Sequence, residues 1–233
     1  MQRTISAMVG KGSVNHNSRK FRAENVDGTR THLNIDYCNE NIKTVYHELF
    51  DEALERYNAK QTRSDRKIKD YYEKIRSSKQ EKPFREIILQ VGGKGNMNAD
   101  TENGDLAKQV LDEYYQGFQE RNPQLRMFSA HLHMDEATPH LHIDFVPFTT
   151  GSKRGLDTRV SLKQALATQG FKGGSRGDTE WSQWVQSEKE QLAAVMERYG
   201  IEWEHKGTHE KHLSVLDYKK QEREKEVAVL GAK

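Results

Sequence analysis

The sequence predicts an α+β fold in which helices pack on one mostly antiparallel central sheet of about five strands. Segments of alternating or β-branched apolar residues predict the strands, and segments with apolar residues three and four positions apart predict the helices. The last two strands, at about 126–134 and 140–147, are joined by a turn too short for a parallel crossover, so they form an antiparallel hairpin. Helices are expected before, between and after the strands rather than in strict alternation with them.

The first part of the chain predicts three strands and two helices. Residues 3–9 form a strand, and the alternating segment 31–37 forms a second one after a loop rich in Gly, Ser and Asn. A helix begins after Asn39, which acts as its N-cap, and a basic helix follows over about 64–78. Residues 85–91 contain three adjacent large apolar residues, which is typical of a central strand covered on both faces.

The second part adds a helix over about 105–120, the hairpin, a short helix capped by Ser161, and a long helix over about 179–199. We expect one domain over residues 1–211 and a charged helical tail over 212–233. Since this tail stops without a cap, we expect the native protein to continue into a C-terminal extension.

Composition excludes several classes of protein. Among 233 residues, the single cysteine Cys38 rules out an internal disulfide framework and a Cys-rich metal site. No apolar run approaches the roughly 20 residues that cross a bilayer. The first residues lack the apolar core of a signal peptide, so a cytoplasmic location is expected.

The net charge of +2 (37 basic minus 35 acidic residues) conceals an uneven distribution. Basic residues concentrate in 10–30, 60–69 and 150–176, whereas acidic residues dominate 180–204. Solvated helices and loops would explain any one block. Together, the basic blocks favour one face of the molecule that attracts phosphates.

Residues 131–147 carry the strongest functional signal. Side chains alternate between the faces of a strand, so His140 and His142 share one face and the intervening Leu141 points to the other. Folding the hairpin brings His133 alongside both. Imidazole is the commonest side-chain metal ligand, and three of them leave positions open on a divalent cation, as in a catalytic site. Glu136 could orient an imidazole or join the coordination.

Two other histidine motifs fit less well. Metallo-β-lactamase-like HxHxD continues with Asp-His, whereas here Asp135 is followed by Glu136, and histidine-triad hydrolases need a third histidine where this chain has Asp144. The pattern H-x-D-E-x-T-P-H-x-H from His133 to His142 instead resembles the third motif of the Mob/Pre (MobV-type) plasmid-mobilisation relaxases, which are HUH endonucleases.

Earlier segments extend the resemblance. H-N-x-R, at His16, Asn17 and Arg19, resembles the first family motif, and R-x-H-L-N, from Arg30 to Asn34, resembles the second. The segments 146–148 and 211–219 also resemble the family, in the same order along the chain.

The resemblance implies a relaxase that nicks one DNA strand at an origin of transfer by transesterification, for conjugative mobilisation. It places the nucleophile at His16, which would form a phosphoramidate, and Arg19 could clamp the phosphate. His133, His140 and His142 would hold the metal, most simply Mn²⁺ or Mg²⁺. Tyr37 stays open as a weaker alternative nucleophile, and the role of an additional histidine, His131, is undecided.

The expected partners are origin DNA, single-stranded around the nick with a hairpin or duplex upstream, and the conjugation coupling machinery. A homodimer formed through the C-terminal extension is also expected. Residues expected to contact DNA are basic or amide side chains in two loops: Lys11, Asn17, Lys20, Arg22, Arg30, Lys153, Arg154 and Arg159. Two alternatives remain open, namely an HUH replication initiator or transposase with a tyrosine nucleophile, and a non-catalytic DNA-binding module with a metal.

Overall fold

The computed structural model describes residues 1–205 together with residues 220, 223 and 224, so nearly all of the predicted tail lies outside the described residues. The strands are β1 (Gln2–Arg3), β2 (Ile5–Val9), β3 (Ile35–Asn39), β4 (Arg85–Val91), β5 (Leu125–His133), β6 (His140–Thr149), β7 (Arg159–Val160) and β8 (Glu202–Trp203). Five of them form an antiparallel main sheet in the order β2-β4-β6-β5-β3, and β7 pairs with the end of β6. The α+β prediction with a mostly antiparallel sheet is therefore confirmed.

Seven helices connect or cover the strands within the described part of the chain. They are α1 (Val14–Asn17), α2 (Ile42–Ala59), α3 (Tyr71–Arg76), α4 (Glu102–Gln116), α5 (Phe118–Arg121), α6 (Leu162–Thr168) and α7 (Glu180–Arg198), with 3-10 turns at Thr31–Leu33 and Ser64–Arg66. Of these helices, none combines the length and the apolar character needed to cross a membrane.

The main sheet buries a separate hydrophobic core on each face. Leu141, Ile143 and Phe145 of β6 join the core that contains residues of α4 and α7. Val146 and Phe128 join the second core, beneath α2 and α3. Burial of each such large side chain contributes about 2 kcal/mol of hydrophobic free energy.

The face of β6 that packs in the second core is apolar at one end of the strand and polar at the other. The functional site lies at the polar end. Val146 and Phe148 at one end pack beneath the helices, whereas His140, His142 and Asp144 occupy the same face toward the other end. The short helix α1 contacts β5 on this face. The histidines therefore lie where α2 and α3 stop covering the sheet.

The predicted basic helix over 64–78 is largely wrong. Only Tyr71–Arg76 is α-helical, because the side chain of Asp70 accepts a hydrogen bond from Glu73 N and fixes the helix start there. Before it, Asn58 bonds both the N–H and the carbonyl of Ile68 through its side chain, which anchors this segment to the end of α2. Local capping thus limits the helix to six residues.

The predicted strand over 31–37 begins later than expected, at Ile35. Thr31 and Asn34 both donate side-chain hydrogen bonds to Asp135, at 2.9 and 2.8 Å, and the backbone curls into a 3-10 turn between them. The helix predicted after Asn39 begins at Ile42, with Asn41 as its N-cap.

Candidate metal and catalytic site

The register of the β5–β6 hairpin brings three histidines together. His133 lies directly opposite His140, and His142 is two residues further along β6. One ring nitrogen from each of the three lies within 4.8 Å of the others. We call His133, His140 and His142 the histidine cluster. Its geometry suits a shared cation, since imidazole nitrogens bind transition metals at about 2 Å.

Hydrogen bonds leave each member of the cluster with one free lone pair. His133 Nε2 donates to the carbonyl of Asn17 at 2.8 Å, and His140 Nδ1 donates to that of Thr138 at 2.8 Å. His142 Nδ1 lies 2.7 Å from a carboxylate oxygen of Glu86. Since these partners accept hydrogen bonds, the opposite nitrogen of each ring carries the lone pair when the ring is neutral, and it faces the other members of the cluster.

Two of these free nitrogens are orphaned. His133 Nδ1 and His142 Nε2 are buried and have no hydrogen-bond partner among the described residues. A buried polar atom without a partner is costly, and such atoms in folded proteins are usually explained by a bound water or ion. The donor set therefore fits a divalent metal ion.

Burial favours the neutral form of two of these imidazoles. It lowers the pKa of His142 to about 4, against the opposing effect of the hydrogen bond that His142 donates to Glu86, and it lowers the pKa of His133 well below its usual range, helped by the nearby His142 and His140. Neutral imidazole is the form that binds a metal.

Glu86 on β4 is a site residue that sequence reasoning missed. Its Oε1 holds His142 and accepts from Asn17 Nδ2 at 2.7 Å, while its Oε2 accepts from the backbone N–H of Gly12 at 2.6 Å. One carboxylate thus ties a member of the histidine cluster to the loop before His16. A charged residue inside a predicted central strand was the available signal, because such residues are rarely buried without a partner.

His16 lies on α1 beside the cluster, rather than on an open loop as the sequence suggests. Its ring centroid is 6.0 Å from that of His133 and 6.3 Å from that of His142. One ring nitrogen of His16, one of His133 and one oxygen of Glu136 lie within 4.8 Å of one another. The His16 ring is partly exposed, with 22% of its side chain accessible. It can therefore meet both a ligand from solution and the cluster.

Glu136 lies between His16 and the cluster. Its Oε1 is 3.5 Å from His16 Nε2 and 3.8 Å from both His133 Nδ1 and His140 Nε2. Although burial alone would raise the pKa of this carboxyl, the hydrogen bond with His16 and the neighbouring charges hold it well below its usual range. Glu136 is thus an ionised carboxylate that faces the same centre as the imidazoles.

Asp135 joins the three sequence motifs. It is fully buried and accepts hydrogen bonds from Arg19, Thr31 and Asn34. Burial would raise the pKa of Asp135, but these hydrogen bonds and the charge of Arg19 lower it. Residues far apart in sequence are therefore held together by one carboxylate.

Arg19, expected to clamp a phosphate, is held by two carboxylates. Its guanidinium donates to Asp135 and Glu136, at 2.9 Å from each, and also lies 3.3 Å from His16 Nε2. Arg19 has a positive φ of 56°, a left-handed conformation that is uncommon outside glycine. These contacts fit the positioning of His16 and Glu136, and the phosphate contact stays a prediction.

The residues expected to contact DNA separate into two groups. Five of them have exposed side chains: Lys11, Lys20, Arg22, Lys153 and Arg154. The other three make hydrogen bonds within the protein, and their contact with DNA stays a prediction. Asn17 is buried and bonds Glu86 and Asp144, Arg30 donates to the carbonyls of Met134 and Ala99, and Arg159 donates to Ser152.

Tyr37, the alternative nucleophile, lies away from the histidine cluster. It packs against the first core, on the opposite face of the sheet from the histidines, and its hydroxyl donates to Asp112 at 2.6 Å. Burial raises its pKa far above the usual range, with the Asp112 carboxylate adding to the effect. The additional histidine, His131, is buried on the histidine face, and its Nδ1 lies 2.6 Å from Asp36.

Comparisons with known proteins agree with this geometry. The sequence model of the Mob_Pre family, described as plasmid recombination enzyme, matches residues 13–220. Plasmid recombination enzymes from Bacillus sp and, as type 2, from Staphylococcus aureus are each 26% identical to this chain over 94% and 99% of its length. The alignments cover 45% and 47% of those proteins, so the chain spans about half the length of the curated relatives it matches.

Solved structures show the same fold. Two Mn-bound crystal structures of the MobM relaxase domain (MOBV; Mob_Pre) bound to plasmid oriT DNA match with TM-scores of 0.53 and 0.55. Each is 20% identical to this chain, and the alignments cover 94% and 93% of it and 99% of those chains.

Proposed function

Since the chain belongs to the Mob/Pre family of plasmid recombination enzymes, we propose that it is a metal-dependent relaxase that nicks one DNA strand at an origin of transfer. One observation carries the proposal. The ring nitrogens of the histidine cluster lie close together, and the His16 ring and the Glu136 carboxylate lie beside His133. The similar MobM domain was crystallised with Mn and oriT DNA. The proposed cellular role is plasmid mobilisation.

The proposed reaction is a transesterification at phosphorus. A ring nitrogen of His16 attacks with its lone pair and forms a P–N bond to the 5′ phosphate, while the bond to the 3′ oxygen breaks. The departing 3′ oxygen takes a proton from solvent, and the other ring nitrogen of His16 releases its proton. The phosphodiester energy is thus retained in a covalent 5′-phosphoryl-histidine, and the strand can be rejoined later.

His133, His140 and His142 would hold Mn²⁺ or Mg²⁺, which when bound supplies Lewis-acid stabilisation of the phosphate oxygens. Glu136 orients His16 through its 3.5 Å contact and adds a carboxylate to the donor set. Arg19 fixes His16 and Glu136 relative to Asp135. The exposed lysines and arginines of the two basic loops bind phosphates along the strand.

The test is the incubation of the protein with supercoiled plasmid that carries the cognate origin, with and without Mn²⁺. We expect metal-dependent conversion to open circles that carry protein at one 5′ end. His16→Ala is expected to abolish the covalent adduct and leave DNA binding within about twofold, because His16 supplies the nucleophile and little of the electrostatic contact. The adduct should be labile in acid, as a phosphoramidate is and a phosphotyrosine is not.

The matched control is His47→Ala, which changes an exposed histidine of α2 whose Nδ1 lies 3.0 Å from Asp51. It should form the adduct at the wild-type level. If His16→Ala formed the adduct at the wild-type level, the nucleophile would be a residue other than His16. Tight DNA binding with no nicking in any metal would instead favour a non-catalytic binding module.

Dimer formation, the coupling machinery and a cytoplasmic location remain part of the proposal. The aligned relatives are about twice as long as this chain, so regions outside the match can carry such functions. Gel filtration of the 233-residue chain beside a full-length relative would test whether this domain dimerises by itself.

A further inference from the structure

A groove of about 580 Å³ lies beside the histidine site. Residues 12–15, which lead into His16, line one part of it, and residues 39–42, where β3 passes into α2, line another. The rings of Tyr72, Phe84 and Phe128 complete the lining. Its volume falls in the range of small-ligand clefts, roughly 300–1,000 Å³.

The groove is continuous with the proposed catalytic machinery. The backbone N–H of Gly12 in its lining donates to Glu86 at 2.6 Å, and the other oxygen of Glu86 holds His142 at 2.7 Å. Asn15, which also lines the groove, is the immediate neighbour of His16. Whatever occupies the groove therefore lies next to the reacting centre.

The aromatic part of the lining is held in place. Gly12 has a φ of 71°, and a Cβ at this position would lie 2.7 Å from the ring of Phe84. Phe84 therefore packs directly on the loop backbone, and it meets Phe128 in a T-shaped contact at 5.3 Å between centroids, while part of its side chain stays exposed. A ring fixed in this way gives up little side-chain entropy when a ligand stacks on it.

The remaining lining suits a nucleotide. The side chains of Asn15 and Asn39 are exposed there and can donate and accept hydrogen bonds, and the exposed Lys20 brings a positive charge. The lining carboxylate, Glu40, is bonded by Arg126 at 2.9 Å, which reduces its repulsion of a phosphate. An aromatic face, amides for a base edge and a cation for the backbone are the groups that bind unpaired nucleotides.

Resting on the proposed function, we infer that this groove binds one unpaired base of the DNA strand next to the scissile phosphate. Phe84 and Tyr72 provide the apolar walls, and the asparagines contact the base edge. Binding of the base would fix the position of the adjoining phosphate relative to His16. The groove is thus a positioning and specificity site for the strand that is cut.

The test needs no knowledge of the origin sequence. The probes are fluorescein-labelled dT oligonucleotides of about 12 nucleotides and a matched strand that lacks all bases but keeps the sugar-phosphate chain. Fluorescence anisotropy gives the affinity of the full chain for each probe. We expect the wild type to prefer the probe with bases, and Phe84→Ala to reduce that preference at least about fivefold with unchanged affinity for the base-free strand.

The control is Phe21→Ala, an exposed phenylalanine outside the groove lining, which should keep at least half of the preference. Equal losses in the two variants, or an equal loss for both probes in Phe84→Ala, would overturn the inference. Tyr72→Ala is the second groove variant, and it stands in if Phe84→Ala does not fold.

A second measurement uses the wild-type protein alone. Photo-crosslinking of a 4-thiothymidine oligonucleotide, followed by peptide mapping, should mark residues 12–15, Tyr72 or Phe84. Crosslinks found only elsewhere would overturn the inference. Both measurements report binding, so a protein that failed to nick plasmid while the groove bound a base would refute the proposed function and leave this site standing. If the protein nicked plasmid but bound both probes equally, the groove inference would be refuted and the proposed function would stand.

Discussion

Two buried polar clusters lie on opposite faces of the main sheet, and they differ in whether their acceptor atoms are paired within the protein. The first is the histidine cluster. The second, here called the Glu188 cluster, consists of Glu188, Tyr114, Arg121, Asn122 and Trp184. Both are enclosed by apolar residues, yet only the histidine cluster leaves lone pairs directed at a common centre.

In the Glu188 cluster, both carboxylate oxygens are satisfied. Asn122 donates to Oε1 at 3.0 Å, and Arg121 and Tyr114 donate to Oε2. The indole N–H of Trp184 donates to Asn122 at 2.7 Å. A carboxylate that is fully occupied by protein donors has no capacity left for a ligand, so this cluster joins α4, α5 and α7. The difference in pairing separates a structural cluster from a functional one.

The largest expected effect comes from removing one imidazole from the histidine cluster. His140→Ala should weaken Mn²⁺ binding and nicking together, on the order of a thousandfold, because a direct ligand matters more than the 10–100-fold typical of its hydrogen-bond partners. Isothermal titration with Mn²⁺ and plasmid nicking measure the two losses. The metal-free stability should change by less than about 1 kcal/mol, since His140 lies at the rim. Normal cleavage by this variant would refute the ligand set.

The converse change disrupts the Glu188 cluster. Glu188→Ala should lower the free energy of unfolding by about 3 kcal/mol, because it removes the acceptor that Tyr114, Arg121 and Asn122 share. Urea denaturation measures the loss, with Glu190→Ala, an exposed carboxylate on the same helix, as the control within about 0.5 kcal/mol. Nicking at low temperature should be retained. A large loss of nicking in folded Glu188→Ala would contradict the purely structural role of the Glu188 cluster.

A smaller effect is expected from the partner of His142. Glu86→Gln keeps the shape but removes the charge that fixes the ring, and it should weaken Mn²⁺ affinity about 10–100-fold. The increase in melting temperature on adding Mn²⁺ should shrink accordingly. Glu102→Gln, an exposed residue at the start of α4, is the control and should bind Mn²⁺ as the wild type does. Unchanged affinity in Glu86→Gln would leave Glu86 with a purely structural role.

The smallest effect concerns a single hydroxyl and its titration. Tyr114→Phe removes the hydrogen bond to Glu188 and should destabilise the protein by about 1 kcal/mol at neutral pH. Burial, aided by Glu188, raises the pKa of Tyr114 well above 10.0. The wild type therefore loses stability as the pH rises past about 10, where the unfolded tyrosine ionises. Phenylalanine does not titrate, so the difference between the variants should narrow at about pH 11; a constant difference would contradict this linkage.

The histidine hairpin was predictable because strand periodicity alone decides which side chains share a face. His133, His140 and His142 alternate with apolar residues, and a one-residue slip of the hairpin register would no longer place Leu141 and Leu132 on the same face. The strand at Arg85–Val91 was predictable for a different reason, because it contains three adjacent large apolar residues. Long-range pairing was not, since nothing local in the sequence associates Glu86 with His142.

The helix predicted over 64–78 was wrong because local side-chain contacts override its pattern. Asp70 and Asn58 fix the path of the chain before α3 through side-chain hydrogen bonds. The pairing of Arg19 with Asp135 and Glu136 could not be predicted either, because these carboxylates lie more than 100 residues away in the sequence.

Asp135 has a consequence for how the gene tolerates change. Arg19, Thr31 and Asn34 all donate to this one acceptor, so a substitution at Asp135 removes a hydrogen-bond partner from three side chains at once. In a library of random single substitutions, these four positions should form one group with shared intolerance, and repairs of an Asp135 variant should be rarer than repairs of any of the other three. Three segments of the chain, separated by up to 116 residues, should therefore be constrained together during evolution.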